Sequence, residues 1–349
     1  MTMPTEPLGA TDIAGGINGS YAADRYAHVN YRRSGQSGLL LPPISLGGWQ
    51  TFGGYRGPEV ARDCLLRAFD LGITHFDFAN NYGTPPGMSE LVCGEIIRRE
   101  LPRDELIISS KAGYGMWPGP YGDGLSKKYI VASCDQSLKR MGLDYFDIFY
   151  LHRPDPATPL EESLGALDLL VRQGKVLYSG VSNFPGALFA EAVRLCKEQG
   201  WAPITIHQPS YSLINRGIER DLLPETERAG TGVIAFSPLA SGVLSDKYLG
   251  DTIPDDSRAA LAWDEAGTAR RLTPERLATL RALNDLAQER GQTLSQMALA
   301  WVLRSPAVTS ALIGASRVSQ IEENIRALDH ADFSAEELAT IDRLTGTAA

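Results

Sequence analysis

The chain has 349 residues, and its 33 Lys and Arg against 42 Asp and Glu give a formal net charge of −9. Its 43% hydrophobic and 21% charged residues are typical of a globular protein and exclude a disordered or fibrous one. The acidic balance argues against broad binding to nucleic acid or to an anionic membrane. The sequence contains neither an apolar run long enough to span a membrane nor a secretory signal, so we expect a cytoplasmic protein.

The chain begins with a stretch rich in Gly, Ala, Thr and Pro that lacks periodicity. We interpret residues 1–28 as a flexible arm and residues 29–349 as a single domain. Residues 30–42 have the pattern of a short hairpin, with Ser34-Gly35 and Ser37-Gly38 in its turn.

Short apolar runs then alternate with amphipathic segments, as expected for buried parallel strands that alternate with helices. The predicted strands are Ile44–Gly48, His75–Ala79, Leu106–Ser110, Phe146–Leu151, Val176–Val181, Ile204–Gln208, Gly232–Phe236 and Ala311–Gly314. Helix starts are predicted at Thr158-Pro159, at Thr273-Pro274 and at the capping box that begins with Ser334.

Eight such strands favour an α/β fold, a closed (β/α)8 TIM barrel with an N-terminal β-hairpin and extra C-terminal helices. The alternative is a doubly wound sheet, which predicts G-x-G-x-x-G after the first strand. The residues there, Gly47-Gly48-Trp49-Gln50, do not fit that motif.

Two connections, residues 111–127 and 249–271, are unusually long, and long loops are often functional. The first carries Tyr114, Trp117 and Tyr121 among glycines and prolines. These aromatic residues are typical of a pocket wall, although an aromatic surface loop is the simpler alternative.

In barrel enzymes the active site lies at the C-terminal ends of the strands. Three successive predicted strands bring Asp77 and Tyr82, then Lys111, then His152 to that end. A tyrosine has a pKa near 10, and we expect a neighbouring ammonium to lower it while a carboxylate holds the ammonium. Such a set suits proton delivery to a carbonyl oxygen while a hydride attacks the carbon, with neither a nucleophile nor a metal.

The last strand leads to Gly314-Ala315-Ser316-Arg317 and then to an amphipathic helix through Leu328. A helix N-terminus with Arg317 and Ser316 can bind a phosphate, but a simple helix start capped by Ser316 explains the pattern equally well.

The sequence offers little for a metal or for disulfides. His75 and Asp77 form an H-x-D pair on one strand face, but no third ligand is evident and a hydrogen-bonded strand histidine is the favoured interpretation. The cysteines are widely spaced, without a C-x-x-C pair, which predicts reduced and buried thiols at Cys64, Cys93, Cys134 and Cys196.

At these residues the chain resembles the aldo-keto reductase superfamily, from about Tyr31 to Leu344. The resemblance is carried by HFDFANNYG (75–83), SSKAG (109–113), FYLHRPD (149–155), GVSNF (180–184), AFSPLASGVLSDKY (235–248) and IGASRVSQIEENI (313–325). Within the superfamily, NNYGTPPGMSE (80–90), KAGYGMWPGPYG (111–122) and HQPSYSLINR (207–216) are most similar to the bacterial L-glyceraldehyde 3-phosphate reductases and the potassium-channel β subunits.

The resemblance implies a catalytic tetrad of Asp77, Tyr82, Lys111 and His152, with Tyr82 as the proton donor. It implies NADPH or NADP+ as cofactor, bound by Gly48, Trp49, Asp77, Ser182, Asn183, Gln208, Ser237, Pro238, Leu239, Ala240, Gly242, Lys247, Arg258, Gly314, Ser316, Arg317, Gln320, Glu323 and Asn324. The substrate pocket would include Trp49, Tyr82, Trp117 and His152. Tyr211 is a weaker candidate for packing on the nicotinamide ring.

The leading hypothesis is an NADPH-dependent reductase of small aldehydes, with L-glyceraldehyde 3-phosphate as a candidate substrate. An alternative is a regulatory, channel-β-like protein that binds the nicotinamide cofactor and has weak catalysis. A third is a reductase of another carbonyl, such as a ketone, a dicarbonyl or pyridoxal. The family pattern has Asn in channel β subunits where His152 stands, which favours a reductase. Relatives of this kind imply a homo-oligomer, a tetramer or an octamer.

Overall fold

The protein is described by a computed structural model that covers residues 21–250, 252–255, 259–260 and 265–346. A two-stranded antiparallel sheet, β1 (Arg32–Arg33) and β2 (Leu40–Leu41), precedes the main sheet and confirms the predicted hairpin. The predicted (β/α)8 barrel is also confirmed, because eight strands close in the order β10-β3-β4-β5-β6-β7-β8-β9.

The barrel strands are β3 (Ile44–Gly47), β4 (His75–Asp77), β5 (Ile107–Ala112), β6 (Phe146–Leu151), β7 (Val176–Ser182), β8 (Ile204–Gln208), β9 (Gly232–Phe236) and β10 (Val308–Ile313). Most of their side chains are buried, which explains why they form continuous apolar runs in the sequence. Five strands, β3, β4, β5, β7 and β10, end one or two residues away from the predicted C-terminal end. Lys111 lies inside β5 rather than after it, because Lys111 and Ala112 pair with Tyr150 and Leu151 of β6. β10 ends before Gly314.

The described α-helices are α1 (Pro58–Asp70), α2 (Met88–Glu100), α3 (Lys127–Met141), α4 (Leu160–Arg172), α5 (Gly186–Gln199), α6 (Ile218–Ala229), α7 (Glu265–Arg271), α8 (Pro274–Glu289), α9 (Leu294–Leu303), α10 (Val318–Ile325) and α11 (Ala335–Leu344). Their apolar residues pack inwards, as in α1, where Cys64, Leu65, Ala68 and Phe69 are buried.

The helix starts match the sequence in two of three places. The Thr273 hydroxyl caps α8, and Ser334 with Glu337 forms the predicted capping box of α11. The expected N-cap at Thr158 is wrong, because α4 begins after Pro159 and the Thr158 hydroxyl donates instead to the Asp155 carboxylate. The predicted helix through Leu328 is α10 followed by a 3-10 turn from Arg326 to His330.

The contacts divide the described chain into two compact units. One consists mainly of Leu46–Ser179, with the segments 21–29 and Gly314–Val318, and the other mainly of Asn30–Ser45 and Gly180–Ile313, with the residues from Ser319 onward. Of the predicted arm, residues 1–20 lie outside the described residues. Residues 21–28 contact the first unit, where the Ala22 amide donates to Asp70 and Arg25 pairs with Glu105 at 2.6 Å.

All four cysteines are buried and unbridged, as predicted. Within the described part of the chain, no helix is long and apolar enough to cross a membrane.

Candidate active site

The centre of the first unit holds a fully buried ion pair between Lys111 of β5 and Asp77 of β4. The Lys111 ammonium donates to Asp77 Oδ2 and, at 2.7 Å, to the carbonyl oxygen of Phe78. Neither charged side chain is exposed to solvent. Two fixed acceptors therefore hold the ammonium in one place, and the adjacent Tyr150 ring, 5.6 Å from Nζ, closes the space beside it.

Tyr82 lies in the loop after β4, with its hydroxyl oxygen 3.4 Å from Lys111 Nζ. The backbone fixes this loop, because the carbonyl of Tyr82 accepts from the amides of Gly87 and Ser89 at 3.0 and 3.2 Å. Gly83 has a φ of +92°, and a Cβ there would lie 2.5 Å from the Ser89 nitrogen. Glycine is therefore required for the turn that carries Tyr82.

The pKa of Tyr82 is raised well above its usual value, first by burial and then by the charge of Asp77. The expectation that the pKa of Tyr82 lies below its usual value is therefore wrong. The ammonium is already paired with Asp77, and desolvation of the phenolate outweighs its influence. Tyr82 consequently keeps its proton throughout the neutral range and can act as a proton donor.

His152 directly follows β6, and its amide donates to the Ala112 carbonyl at 2.9 Å. Its ring meets the ring of Tyr82 edge-on at 5.8 Å and the ring of Tyr114 at 4.7 Å. Burial, with the charges of Lys111 and Arg153, lowers the pKa of His152 well below its usual value. The imidazole is therefore neutral at pH 7, and the four predicted catalytic residues lie together in one unit.

The two aromatic residues expected around the substrate have different surroundings. Trp49, after β3, is 45% exposed. Trp117 packs on Tyr129 of α3 at 5.1 Å, and the Tyr129 hydroxyl donates to the Tyr114 carbonyl and accepts from the Asn80 amide. The long loop after β5 is thereby attached to the loop that carries Tyr82.

Sequence reasoning missed Arg153, although it immediately follows His152. Its Nε donates to the Gly113 carbonyl at 2.6 Å, and its Nη2 pairs with Asp123 at 2.8 Å. The guanidinium also lies 4.7 Å from the centre of the Tyr114 ring, which contacts His152. A partly exposed cation therefore stands beside the candidate catalytic histidine.

In the second unit, the structure brings together Ser182, Asn183 and Gln208, which are expected near the carboxamide of nicotinamide. The Ser182 hydroxyl donates to the Gln208 carbonyl at 2.8 Å, and the Asn183 amide nitrogen Nδ2 donates to the Ser182 oxygen at 3.1 Å. Asn183 has a φ of 59°, which non-glycine residues rarely adopt and which is often found at functional sites. Tyr211, by contrast, is fully buried, and its ring packs on Trp301 at 5.3 Å.

The loop after β9 has an unusual backbone. Ser237, Ala240 and Ser241 all have a positive φ, between 48° and 61°, and Gly242 follows at 91°. Hydrogen bonds within the loop hold this backbone, because the amides of Ala240 and Gly242 donate to the carbonyls of Ser237 and Leu239 at 2.8 and 2.9 Å. Pro238 and Leu239 lie within this loop, and half-buried Lys247 follows it. Arg258 lies outside the described residues.

The remaining predicted cofactor residues lie after β3 and β10. The amide of Gly48 donates to the Asp77 carbonyl at 2.9 Å, and its carbonyl accepts from Ser89. Exposed Gly314 and Arg317, with half-buried Ser316, precede α10, on which Gln320 is half-buried and Asn324 is buried. The Glu323 carboxylate accepts from the Thr293 hydroxyl at 3.3 Å.

The H-x-D pair is explained by a hydrogen bond, since His75 Nε2 lies 2.9 Å from the Ser109 hydroxyl. Among the described residues, no group of three or more His, Cys, Asp or Glu side chains could hold a metal ion.

Comparison with known proteins gives a consistent result. The model of the aldo/keto reductase family matches residues 43–345. The chain is 52% identical over 326 residues to an L-glyceraldehyde 3-phosphate reductase of Escherichia coli strain K12, an alignment that covers 92% of this chain and 93% of that one. It is 38% identical to a probable voltage-gated potassium channel subunit beta of Arabidopsis thaliana, over 86% of this chain and 92% of that one.

These matches span nearly the whole barrel and include every residue of the Asp77, Tyr82, Lys111 and His152 cluster. The chain therefore belongs to the aldo/keto reductase family and is an oxidoreductase that acts on carbonyl groups.

Proposed function

We propose that this protein reduces small aldehydes to alcohols with NADPH, and that Tyr82 donates the proton to the carbonyl oxygen. The observation that carries the proposal is the buried Asp77–Lys111 pair, whose ammonium lies 3.4 Å from the hydroxyl of a protonated tyrosine. Members of this family generally use NAD(P)H, which supplies the hydride when it is bound.

The side chains divide the remaining work. Tyr82 transfers its proton to the oxygen on which negative charge develops, and the fixed Lys111 ammonium stabilises the phenolate that forms. Asp77 keeps that ammonium charged and oriented. Neutral His152, in contact with the Tyr82 ring, donates a hydrogen bond that orients the carbonyl. Because two fixed acceptors hold the Lys111 ammonium, it needs little reorganisation when the proton moves.

The residues of the second unit suit a nicotinamide cofactor. The Ser182–Asn183–Gln208 cluster offers amide donors and acceptors for a carboxamide. We assign the loop from Ser237 to Gly242 to the pyrophosphate, with half-buried Lys247 as a cation in the same segment. We assign Ser316 and Arg317 to the 2′-phosphate, which favours NADPH over NADH, and Gln320, Glu323 and Asn324 to the adenine side.

We further propose a phosphorylated aldehyde, L-glyceraldehyde 3-phosphate, as the substrate. The name of the relative that is 52% identical supports this choice. Arg153 supports it independently, because it places a guanidinium one residue from His152, with an exposed carboxylate, Asp123, that an incoming phosphate can replace. Trp49 and Trp117 would contact the carbon chain.

The first test is the oxidation of NADPH by purified protein with L-glyceraldehyde 3-phosphate, unphosphorylated glyceraldehyde and a panel of ketones and dicarbonyls. We expect the highest kcat/KM with the phosphorylated aldehyde. A preference for another carbonyl would reject that substrate but keep the reaction. Tight NADPH binding with no turnover on any carbonyl would instead favour a regulatory protein like the channel subunits.

Tyr82→Phe tests the proton donor. We expect kcat to fall by at least about 100-fold, a typical contribution of general acid catalysis, while the Kd of NADPH stays unchanged. Near-native turnover would reject the assignment of Tyr82.

Arg317→Ala tests the cofactor assignment. We expect the Kd of NADPH to rise about 10-fold or more, because a charge-assisted hydrogen bond to the 2′-phosphate is lost, and the Kd of NADH to change little. Equal losses for the two cofactors would remove Arg317 from the 2′-phosphate site.

A further inference from the structure

A histidine and a serine lie behind the Asp77 carboxylate, and neither has a role in the proposed reaction. His75 and Asp77 share one face of β4, because alternate residues of a strand point the same way. The parallel register sets Asp77 beside Ser109 of β5, two residues before Lys111. None of the side chains of His75, Ser109 and Asp77 is exposed to solvent.

These residues form a continuous line of hydrogen bonds that ends at Tyr82. The Ser109 hydroxyl lies 2.6 Å from Asp77 Oδ1, and His75 Nε2 lies 2.9 Å from the same hydroxyl oxygen. The other oxygen, Asp77 Oδ2, accepts from Lys111. Lys111 in turn lies 3.4 Å from the Tyr82 hydroxyl.

The direction of each bond follows from chemistry. An ionised carboxylate can only accept, so Ser109 must give its single hydrogen to Asp77 Oδ1. The Ser109 oxygen then accepts from His75, which must carry its proton on Nε2. Burial, opposed by the charge of Asp77, lowers the pKa of His75 to about 4, so the ring is a neutral donor at pH 7. His75 therefore donates to Ser109, and Ser109 donates to the Asp77 carboxylate.

We propose that Ser109 and His75 are positioning residues for Asp77, acting on Lys111 and Tyr82 through one rotamer of that carboxylate. With a donor on each oxygen, the carboxylate cannot turn about its terminal torsion, which is otherwise broad. Without the Ser109 hydroxyl, Oδ1 loses this 2.6 Å hydrogen bond, and the carboxylate is held less firmly in the orientation that faces Lys111. The ammonium would then move with respect to the Tyr82 hydroxyl, and proton transfer is sensitive to that distance.

This inference rests on the proposed role of Tyr82, so wild-type turnover and the loss of turnover in Tyr82→Phe are established first. Ser109→Ala is then compared with Ser110→Ala. Ser110 is the matched control, since it is equally buried on the same strand and donates to a carboxylate, Glu90, at 2.6 Å, but it points to the other side of β5.

We expect Ser109→Ala to lower kcat by about 10- to 100-fold, the range for loss of one hydrogen bond to a charged group. The KM of the aldehyde and the Kd of NADPH should stay within about twofold, because neither ligand contacts Ser109 in the proposed site. Ser110→Ala should keep the wild-type kcat. An equal loss of kcat in both variants would overturn the proposal, since it would reflect a general disturbance of β5.

A second pair of variants, at His75, tests the positioning role if Ser109→Ala does not fold. His75→Leu removes the donor, whereas His75→Gln keeps a neutral N–H of similar reach. We expect His75→Leu to lower kcat and His75→Gln to restore much of it, with both melting temperatures recorded by circular dichroism. Wild-type kcat in His75→Leu, beside an inactive Tyr82→Phe, would reject the positioning role and leave the proposed function intact.

Discussion

The buried pair of Lys111 and Asp77 gives a thermodynamic prediction that does not depend on any ligand. Replacing Lys111 with Met keeps the length of the side chain but leaves the Asp77 carboxylate charged, buried and without its ammonium. Both side chains are 0% exposed, so water cannot take over the lost interaction. Removal of one partner of such a pair destabilises a protein by about 3–5 kcal/mol.

The double variant Asp77→Asn/Lys111→Met also removes the buried negative charge of Asp77, and the side-chain oxygen of the introduced asparagine still accepts from the Ser109 hydroxyl. It shares with Lys111→Met the loss of the bond to the Phe78 carbonyl, so that loss cancels in the comparison. We therefore expect the double variant to recover at least about 2 kcal/mol relative to Lys111→Met, although it stays inactive.

The assay is urea unfolding followed by fluorescence and circular dichroism. With a slope of roughly 3 kcal/mol per molar, the urea midpoint of the single variant should lie about 1–1.7 M below that of the wild type. The exposed pair Arg194–Glu191 is the control, and Arg194→Met should leave the midpoint unchanged. If the double variant is no more stable than Lys111→Met, the uncompensated buried charge is not the cause of the instability and the reasoning fails.

Two further predictions concern stability. Burial lowers the pKa of His75 to about 4 and that of His207 to about 3. Between about pH 6.5 and 4, the unfolded chain therefore binds more protons at these histidines than the folded chain does. The free energy of unfolding consequently falls as the pH falls through this range. The urea midpoint should therefore be lower at pH 4 than at pH 7. His207→Gln should reduce the accompanying loss in the free energy of unfolding by about 3 kcal/mol. The same pH dependence in His207→Gln and in the wild type would contradict the lowered pKa of His207. Gly94→Ala should lower the free energy of unfolding by about 1–3 kcal/mol, because a Cβ at this position of α2 would lie 2.4 Å from the Met141 Cα. Gly217→Ala is the control and should leave stability unchanged, because Gly217 has helical backbone angles and open space around it. Equal urea midpoints for the two variants would count against the close contact at Gly94.

The sequence by itself determined the barrel and the candidates for its catalytic side chains. Buried parallel strands must be continuous and apolar, so Phe146–Leu151 and Gly232–Phe236 could be bounded to the residue. A capping box is a local interaction, so Ser334 with Glu337 was also readable. The type and order of Asp77, Tyr82, Lys111 and His152 pointed to one end of the strands, because parallel strands in a barrel share that end.

Only the tertiary structure decided the electrostatics of these residues. The sequence predicted a lowered pKa for Tyr82, but desolvation depends on how deeply the ring is buried, and burial raises that pKa. The line from His75 through Ser109 to Asp77 requires the register of β4 against β5, which joins residues 34 positions apart in the chain. The left-handed backbone at Ser237, Ala240 and Ser241 could not be predicted from the sequence, because residues other than glycine rarely adopt a positive φ unless the folded structure imposes it.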